Sequence, residues 1–359
     1  MTSHGSAALW TMPDFDEHER VEVIHDRASG LTAIVALHST HRGPGAGGTR
    51  FWHYPAPEGA MRDALRLSRG MSYKNALAGL PLGGGKAVVL LDAERTKTPE
   101  MLAAFGEAIE ALGGAYVTAE DVGASEADMV AIHQHTEHVC GLPVAEGKAG
   151  GDPGPYTAQG IFLGIKAAVA HKLGRGDLDG VRVAVQGCGS VGGGVARLLS
   201  GEGAQVTLAD LDHGRAEALA GELGGTAVAA SEIMRVACDV FSPNALGAIL
   251  DETSIPALDC AIVAGGANNQ LARADHGEML RERGILYAPD YVINAGGIIN
   301  VGMEYLARRD GADCTSAEVM QRIEGIGAML TEIWQESERS GTGAHSVTDQ
   351  MARAAIGRS

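Results

Sequence analysis

Aromatic residues make up only 4% of this 359-residue chain, its five cysteines are scattered, and no stretch of it is both long and uniformly apolar. Each shortage excludes something. Cys140, Cys188, Cys238, Cys260 and Cys314 form no C-x-x-C pair, which removes zinc-ribbon and disulfide-framework readings and fits a reducing, cytoplasmic setting. Without an apolar run of roughly 18 residues, no membrane-spanning helix is expected. The first residues carry neither a basic n-region nor an apolar h-region, so no signal peptide is expected either. Basic residues are outnumbered, 28 Lys and Arg against 45 Asp and Glu, giving a formal net charge of -17 with no Lys/Arg-rich block. Such a chain repels phosphate backbones, and nucleic acid is not an expected partner.

What is abundant is glycine, 51 residues, about twice the usual share of roughly 7%. Proline numbers only 12 and no G-X-Y period exists, so collagen is excluded. The balance of 45% hydrophobic to 20% charged residues is that of a packed globule rather than a disordered chain. The glycines are therefore expected in turns and where backbone comes close to a bound molecule.

Residues 21–40 alternate apolar and polar around Ala28-Ser29-Gly30 and predict a hairpin. Met61, Ala64, Leu67, Met71 and Ala78 recur at helical steps, predicting a helix over 57–78. A glycine-rich turn is expected next, then a buried strand at 87–91, a helix at 101–112 and a strand at 115–118. Ser125-x-x-Asp128 is a capping box opening a helix to about residue 138. Residues 147–155 read as a linker. Beyond it, strand-like segments at 181–186, 205–209, 239–241, 261–264 and 285–287 alternate with helical ones, the pattern of a parallel sheet with crossover helices. Two α/β domains with a cleft between them are predicted.

The strand at 181–186 runs into Gly187-Cys-Gly-Ser-Val-Gly192, a G-x-G-x-x-G opening a helix. In that context the first glycine makes the turn, the second lets backbone approach a pyrophosphate, and the third packs helix on strand. The helix N-terminus then holds the anion. The next strand ends at Asp210, where a carboxylate accepts from a ribose 2′-hydroxyl and repels a 2′-phosphate, favouring NAD over NADP. Cys188 reads as a small filler, and Arg215 as a surface arginine.

Three charged residues stand out in the first half. Lys74 falls on the apolar face of its helix, either snorkelling at the core edge or reaching a cleft to hold a carboxylate. Lys86 follows Gly83-Gly84-Gly85. It is no P-loop, since the glycine and hydroxyl positions of that motif are Leu80 and Ala87. It reads as an exposed lysine on a turn or as one beside something bound. Asp121 follows a strand, where α/β ligands gather, or merely caps a helix. Two lysines and a carboxylate suffice for proton transfer to and from an amine. No metal site is expected, because His133, His135 and His138 do not share a helix face in ligating numbers.

Together these segments resemble the glutamate/leucine/phenylalanine/valine family of amino acid dehydrogenases. The matching pieces are Gly43-Pro-Gly-Ala-Gly-Gly-Thr-Arg50, Met71-Ser-Tyr-Lys-Asn-Ala76, Leu82-Gly-Gly-Gly-Lys86, Thr118-Ala-Glu-Asp-Val-Gly123, Gly266-Ala-Asn-Asn269 and Ala288-Pro-Asp-Tyr-Val-Ile-Asn-Ala-Gly-Gly297. They run in family order over about residues 21–330. The resemblance implies an N-terminal α/β substrate-binding and oligomerisation domain (1–148) and a C-terminal Rossmann domain that binds NAD (149–334). The last helix, about 335–359, is expected to pack back on the first domain.

The implied reaction is reversible oxidative deamination of an L-amino acid to its 2-oxo acid and ammonia by a homo-oligomer. Lys74 would bind the substrate carboxylate, Lys86 would be the base assisting water attack, and Asp121 would pass protons. Ala46, Gly47, Ala119, Asn269, Asn294, Ile298 and Val301 would line the substrate. Thr157 would contact the nicotinamide amide, and Gly187, Gly189, Ser190, Val191, Gly192, Asp210 and Asn268 would hold the rest of the cofactor. The family's glutamate enzymes carry a lysine at Ala46 and a serine at Val301. Apolar residues here would leave a distal carboxylate unpaired, which argues against glutamate. Leucine and other branched chains are the first expectation and phenylalanine the alternative, since leucine enzymes usually have leucine where this chain has Ala46. Asn244 stands where relatives often have cysteine. A non-catalytic NAD-bound sensor would share the fold but would have no need of Lys74, Lys86 and Asp121 together.

Overall fold

A computed structural model describes residues 8–358 of the chain; the start of the segment in which no signal peptide is expected lies outside them. The chain divides into two compact units. The first comprises the residues up to Gly151, Val301–Ser316 and the chain end from Ala352, and the second Asp152–Asn300 and Ala317–Met351.

The first unit contains β1 (Arg20–Asp26), β2 (Leu31–Ser39), β3 (Gly45–Trp52), α1 (Pro57–Leu77), β4 (Gly83–Leu90), α2 (Pro99–Ala111), β5 (Tyr116–Glu120) and α3 (Glu126–His133). Its sheet has the order β1-β2-β4-β3-β5. The predicted hairpin is the antiparallel β1/β2 pair, whereas β3 runs parallel to both β4 and β5. Helices cover both faces. Val35, Phe51 and Val89 pack with Leu102, Phe105 and Ile109 of α2 on one side. On the other, Ile34, Ala36 and Val88 meet Ala60, Ala64 and Leu65 of α1. Burial on both sides explains why β2 and β4 read as continuous apolar runs rather than alternating ones. The capping box forms as predicted, with Ser125 and Asp128 bonding each other's backbone nitrogen. Its helix stops at His133, short of the predicted end.

The glycines depart most from the sequence reading. Gly83–Gly85 form no turn but the first half of β4, and Gly45–Gly48 begin β3, a strand that glycine's poor strand propensity concealed. Packing is the reason. A β-carbon on Gly84 would lie 2.1 Å from the Ser72 nitrogen, so α1 rests directly on bare β4 backbone.

The second unit contains α4 (Gly154–Leu173), β6 (Arg182–Gln186), α5 (Ser190–Gly201), β7 (Gln205–Ala209), α6 (His213–Leu223), β8 (Thr226–Ala227), β9 (Val240–Pro243), β10 (Ile262–Val263), α7 (His276–Glu282), β11 (Leu286–Tyr287) and α8 (Asp290–Ile293). There follow α9 (Gly296–Arg309), α10 (Ser316–Ile323), α11 (Gly325–Ser340) and α12 (Ala344–Ala355). The sheet order is β11-β10-β9-β6-β7-β8, and every pairing is parallel. The chain reverses outward from β6, which places the turn after β6 at the topological switch point.

The chain end is shared differently from the expectation. Residues 335–351 belong to the second unit, and only those from Ala352 join the first. Trp334 of α11 is fully buried and donates to the Tyr287 carbonyl at 2.8 Å, and Tyr291 donates to Asp349, so these segments are tied to the second unit. Arg353 instead pairs with Asp16 at 3.2 Å, and Arg358 donates to the backbone carbonyls of Asp16, Glu17 and His38.

Close packing at Gly84 gives a signed test. Gly84→Ala should lower stability by about 1–3 kcal/mol through overpacking. Gly70→Ala, in helix α1 and facing open space, should raise it by about 0.5–1 kcal/mol. Chemical denaturation of both variants checks this. Equal effects of the two would contradict the packing argument.

Candidate active site

Alternation along β3 and β4 sends Ala46, Gly48, Arg50, Gly84 and Lys86 toward the α1 side of the sheet, with Ala46 opposite Gly84 and Arg50 opposite Val88. Lys86 is therefore an inward strand residue, 4% exposed, and not an exposed lysine on a turn. Its ammonium meets Asp121 Oδ2 at 2.8 Å. Asp121 lies just beyond β5, and a β-carbon on Gly48 would sit 2.8 Å from the Asp121 Cβ. The bare glycine thus makes room for the carboxylate. Capping is not its role.

Arg50 completes the group. Its Nε donates to the same Asp121 oxygen at 3.0 Å, and its terminal nitrogen to Asp63 Oδ2 of α1 at 2.8 Å. Tyr54 donates its hydroxyl to that Asp63 oxygen, also at 2.8 Å. Burial opposes ionisation of Asp121, but Lys86 and Arg50 outweigh it and hold the carboxyl at about 2. For Lys86 the balance goes the other way. Burial lowers its pKa, and the attraction of Asp121 only partly restores it. A lysine so placed gives up its proton more readily than a solvated one, which suits a general base.

Lys74 is partly buried near the end of α1. The neighbouring Asn75 pins that end of the helix, donating to the carbonyls of Ala46 at 3.3 Å and Gly83 at 2.6 Å. Ala46 is fully buried, Gly47 and Ala119 are buried beside it on β3 and β5, and Val301 of α9 is buried in the same unit. His133, His135 and His138 turn to different acids, His133 to Glu137, His135 to Glu107 and His138 to Glu110.

In the second unit each glycine of Gly187–Gly192 has its own geometry. Gly187 takes φ +90, open to glycine at no steric cost. A β-carbon on Gly192 would lie 1.9 Å from the Gly187 carbonyl, while one on Gly189 would meet nothing within 4 Å. Tight packing at the third glycine with open space at the second is what a pyrophosphate over the start of α5 requires. Ser190 and Val191 open that helix, and no side chain caps it. Asp210 is fixed just after β7, accepting from the Cys188 nitrogen at 2.8 Å and the Asp212 nitrogen at 2.9 Å. Burial pushes against its ionisation, but these bonds and Arg215 keep it charged. Arg215, at 3.6 Å from Asp210 and from Asp212, is engaged with carboxylates. Burial, together with Asp210, pushes the Cys188 thiol up to about 11, in keeping with a filler. These residues fit a dinucleotide.

Other sequence-predicted residues gather at the same strand ends. Asn294 donates to the Gly266 carbonyl at 3.1 Å and to Asn268 Oδ1 at 3.0 Å, while its own Oδ1 is buried with no partner. Such an orphaned acceptor is costly unless something binds it. Asn269 does not join this pair. It is exposed at φ +52 and bonds the Asp290 carboxylate through its backbone nitrogen. Thr157 donates to the Pro153 carbonyl at 2.9 Å, with Gly297 packed on its hydroxyl and Ile298 following, partly buried. Asn244 has a structural role, bonding Ser242 through Nδ2 and the Gly266 nitrogen through Oδ1 at 2.8 Å. Sequence reasoning missed Arg50, Asp63 and Tyr54 as a group. Arg50 and Asp121 are 71 residues apart, and no periodicity links them.

Comparison with known proteins agrees with this geometry. A family model described as the Glu/Leu/Phe/Val dehydrogenase dimerisation domain matches residues 18–138, and one described as glutamate/leucine/phenylalanine/valine dehydrogenase matches residues 210–358. The chain is 44% identical to a leucine dehydrogenase of Thermoactinomyces intermedius, over 95% of this chain and 91% of that one. It is 44% identical to a valine dehydrogenase of Streptomyces virginiae, over 85% and 86%. The crystal structure of L-tryptophan dehydrogenase from Nostoc punctiforme superposes with a TM-score of 0.81 at 39% identity, covering 95% of this chain and 96% of that one. The chain belongs to the glutamate/leucine/phenylalanine/valine dehydrogenase family of amino acid dehydrogenases.

Proposed function

We propose that the protein catalyses reversible oxidative deamination of an apolar L-amino acid, leucine or another branched chain, with NAD as oxidant. The observation that carries this reading is the buried Lys86 on β4 set against Asp121 just beyond β5, a base beside a proton relay. In the forward direction the amino acid, water and NAD+ give the 2-oxo acid, ammonium, NADH and a proton. Lys74 holds the substrate carboxylate. Lys86 takes the proton from the water that attacks the imine carbon, and Asp121 carries protons to and from the amine nitrogen. When bound, the nicotinamide supplies the hydride acceptor. Gly187, Gly189, Ser190, Val191 and Gly192 cradle its pyrophosphate, Asp210 takes the ribose hydroxyls, and Thr157 and Asn268 orient the amide. Asn294, with its unpartnered Oδ1, faces the substrate. The family model for residues 18–138 is that of a dimerisation domain, and assembly into a homo-oligomer belongs to the same reading. Among the described residues no helix is long and apolar enough to cross a membrane.

Side-chain recognition rests on Ala46, Gly47, Ala119, Ile298 and Val301, none of which can pair a distal charge. The small Ala46 is the one observation favouring a larger, aromatic side chain as a second reading.

Two measurements test the proposal. Lys86→Ala should keep NADH binding, read by fluorescence titration, yet lose at least about a thousandfold in kcat; near-native turnover would sink the assignment. Initial rates should favour NAD over NADP and branched or aromatic side chains over glutamate. In the same assay Ala46→Leu should move the leucine-to-phenylalanine ratio of kcat/KM toward leucine by about tenfold. An unchanged ratio would remove Ala46 from the specificity set.

A further inference from the structure

Lys86 and Arg50 converge on one carboxylate oxygen, Asp121 Oδ2, at 2.8 and 3.0 Å, and no described contact reaches the other oxygen. About a quarter of that side chain, 25%, is exposed. Asp121 is thus anchored at Oδ2 while Oδ1 stays open to a proton donor. Arg50 in turn cannot swing away. Its planar fork spans from Asp121 to Asp63 on α1, and Asp63 is held by the Tyr54 hydroxyl. A lysine facing a single carboxylate would form a mutually stabilised pair and keep its proton. A second cation on the same oxygen weakens that pair and repels the ammonium.

We infer that Arg50 is a positioning residue of the reaction, seated by Asp63 and Tyr54, which clamps Asp121 and frees Lys86 to act as the base. This rests on the deamination reading above. The charged groups facing Lys86 are Asp121 after β5, Arg50 on β3 and Asp63 on α1, with Lys74 further along α1. Their signs differ. Arg50 favours deprotonated Lys86, whereas Asp63 favours the protonated form. Removing them should therefore have opposite effects, which mere loss of packing would not produce. Lysine at position 50 would keep the charge but not the fork, since an ammonium cannot span both carboxylates with fixed geometry.

The test is the acid limb of kcat/KM against pH, where activity falls as the base is protonated. Arg50→Gln should move that limb up by about one pH unit, Arg50→Lys should bring it most of the way back, and Asp63→Asn should move it down. A parallel titration follows labelling of Lys86 by an amine-reactive reagent over the same pH range, read by mass spectrometry, and needs no turnover. Labelling midpoints that shift in opposite directions for Arg50→Gln and Asp63→Asn support the inference. Unchanged midpoints, or shifts of one sign, overturn it. Should Arg50→Gln fail to fold, Arg50→Lys takes its place: a small upward midpoint, the charge kept and the fork lost, supports the inference, and an unmoved one overturns it. A wild-type protein that makes no NADH from any amino acid defeats the functional reading alone, because the labelling still decides the role of Arg50.

Discussion

Burying a lysine ammonium in a sheet is unfavourable by several kcal/mol unless its charge is answered at close range. The first unit is arranged around that requirement at Lys86. Strand β4 must run between β2 and β3 to carry Lys86 inward, β3 must bring Arg50 alongside, and the chain after β5 must return Asp121 across a bare Gly48. Helix α1 then supplies Asp63 to hold Arg50. Each element that stabilises the fold also fixes one charge of the group. Because the cations share one carboxylate oxygen, the arrangement satisfies the buried charges without locking the proton on Lys86.

Glycine makes this geometry possible in two ways. At Gly84 it removes a side chain so that α1 can lie on β4, and at Gly48 it makes space for Asp121. In the second unit Gly192 packs α5 against the turn after β6, while Gly189 leaves its surroundings empty. The same residue type therefore serves close packing at one position and open space two or three residues away. Composition alone cannot separate these uses, because both look like a missing side chain.

Much of the architecture was legible in the sequence. The hairpin, the strand–turn–helix at Gly187–Gly192, Asp210 at the following strand end and the Ser125 capping box are local patterns, set by side-chain alternation and turn chemistry over a few residues. The motif order likewise carried the family. Hidden were the strands that begin with glycines, since neither β3 nor the start of β4 has the side chains from which a strand is recognised. The division of the chain end was hidden too. It turns on single long-range contacts, Trp334 to Tyr287 in one unit and Arg358 to the carbonyl of Glu17 in the other.

The sequence by itself determined the two-unit α/β plan, the dinucleotide turn and the presence of two lysines and an aspartate suited to amine chemistry. These depend on neighbours in the chain. Only the tertiary structure decided that Lys86 lies inside rather than on a turn, that Arg50 joins it on Asp121 Oδ2, that Asn294 pairs with Asn268 and not Asn269, and that Asn244 braces Gly266. Each of these unites residues from separate strands and helices, and the distance between them is set by sheet order and helix packing, quantities that spacing along the chain does not contain.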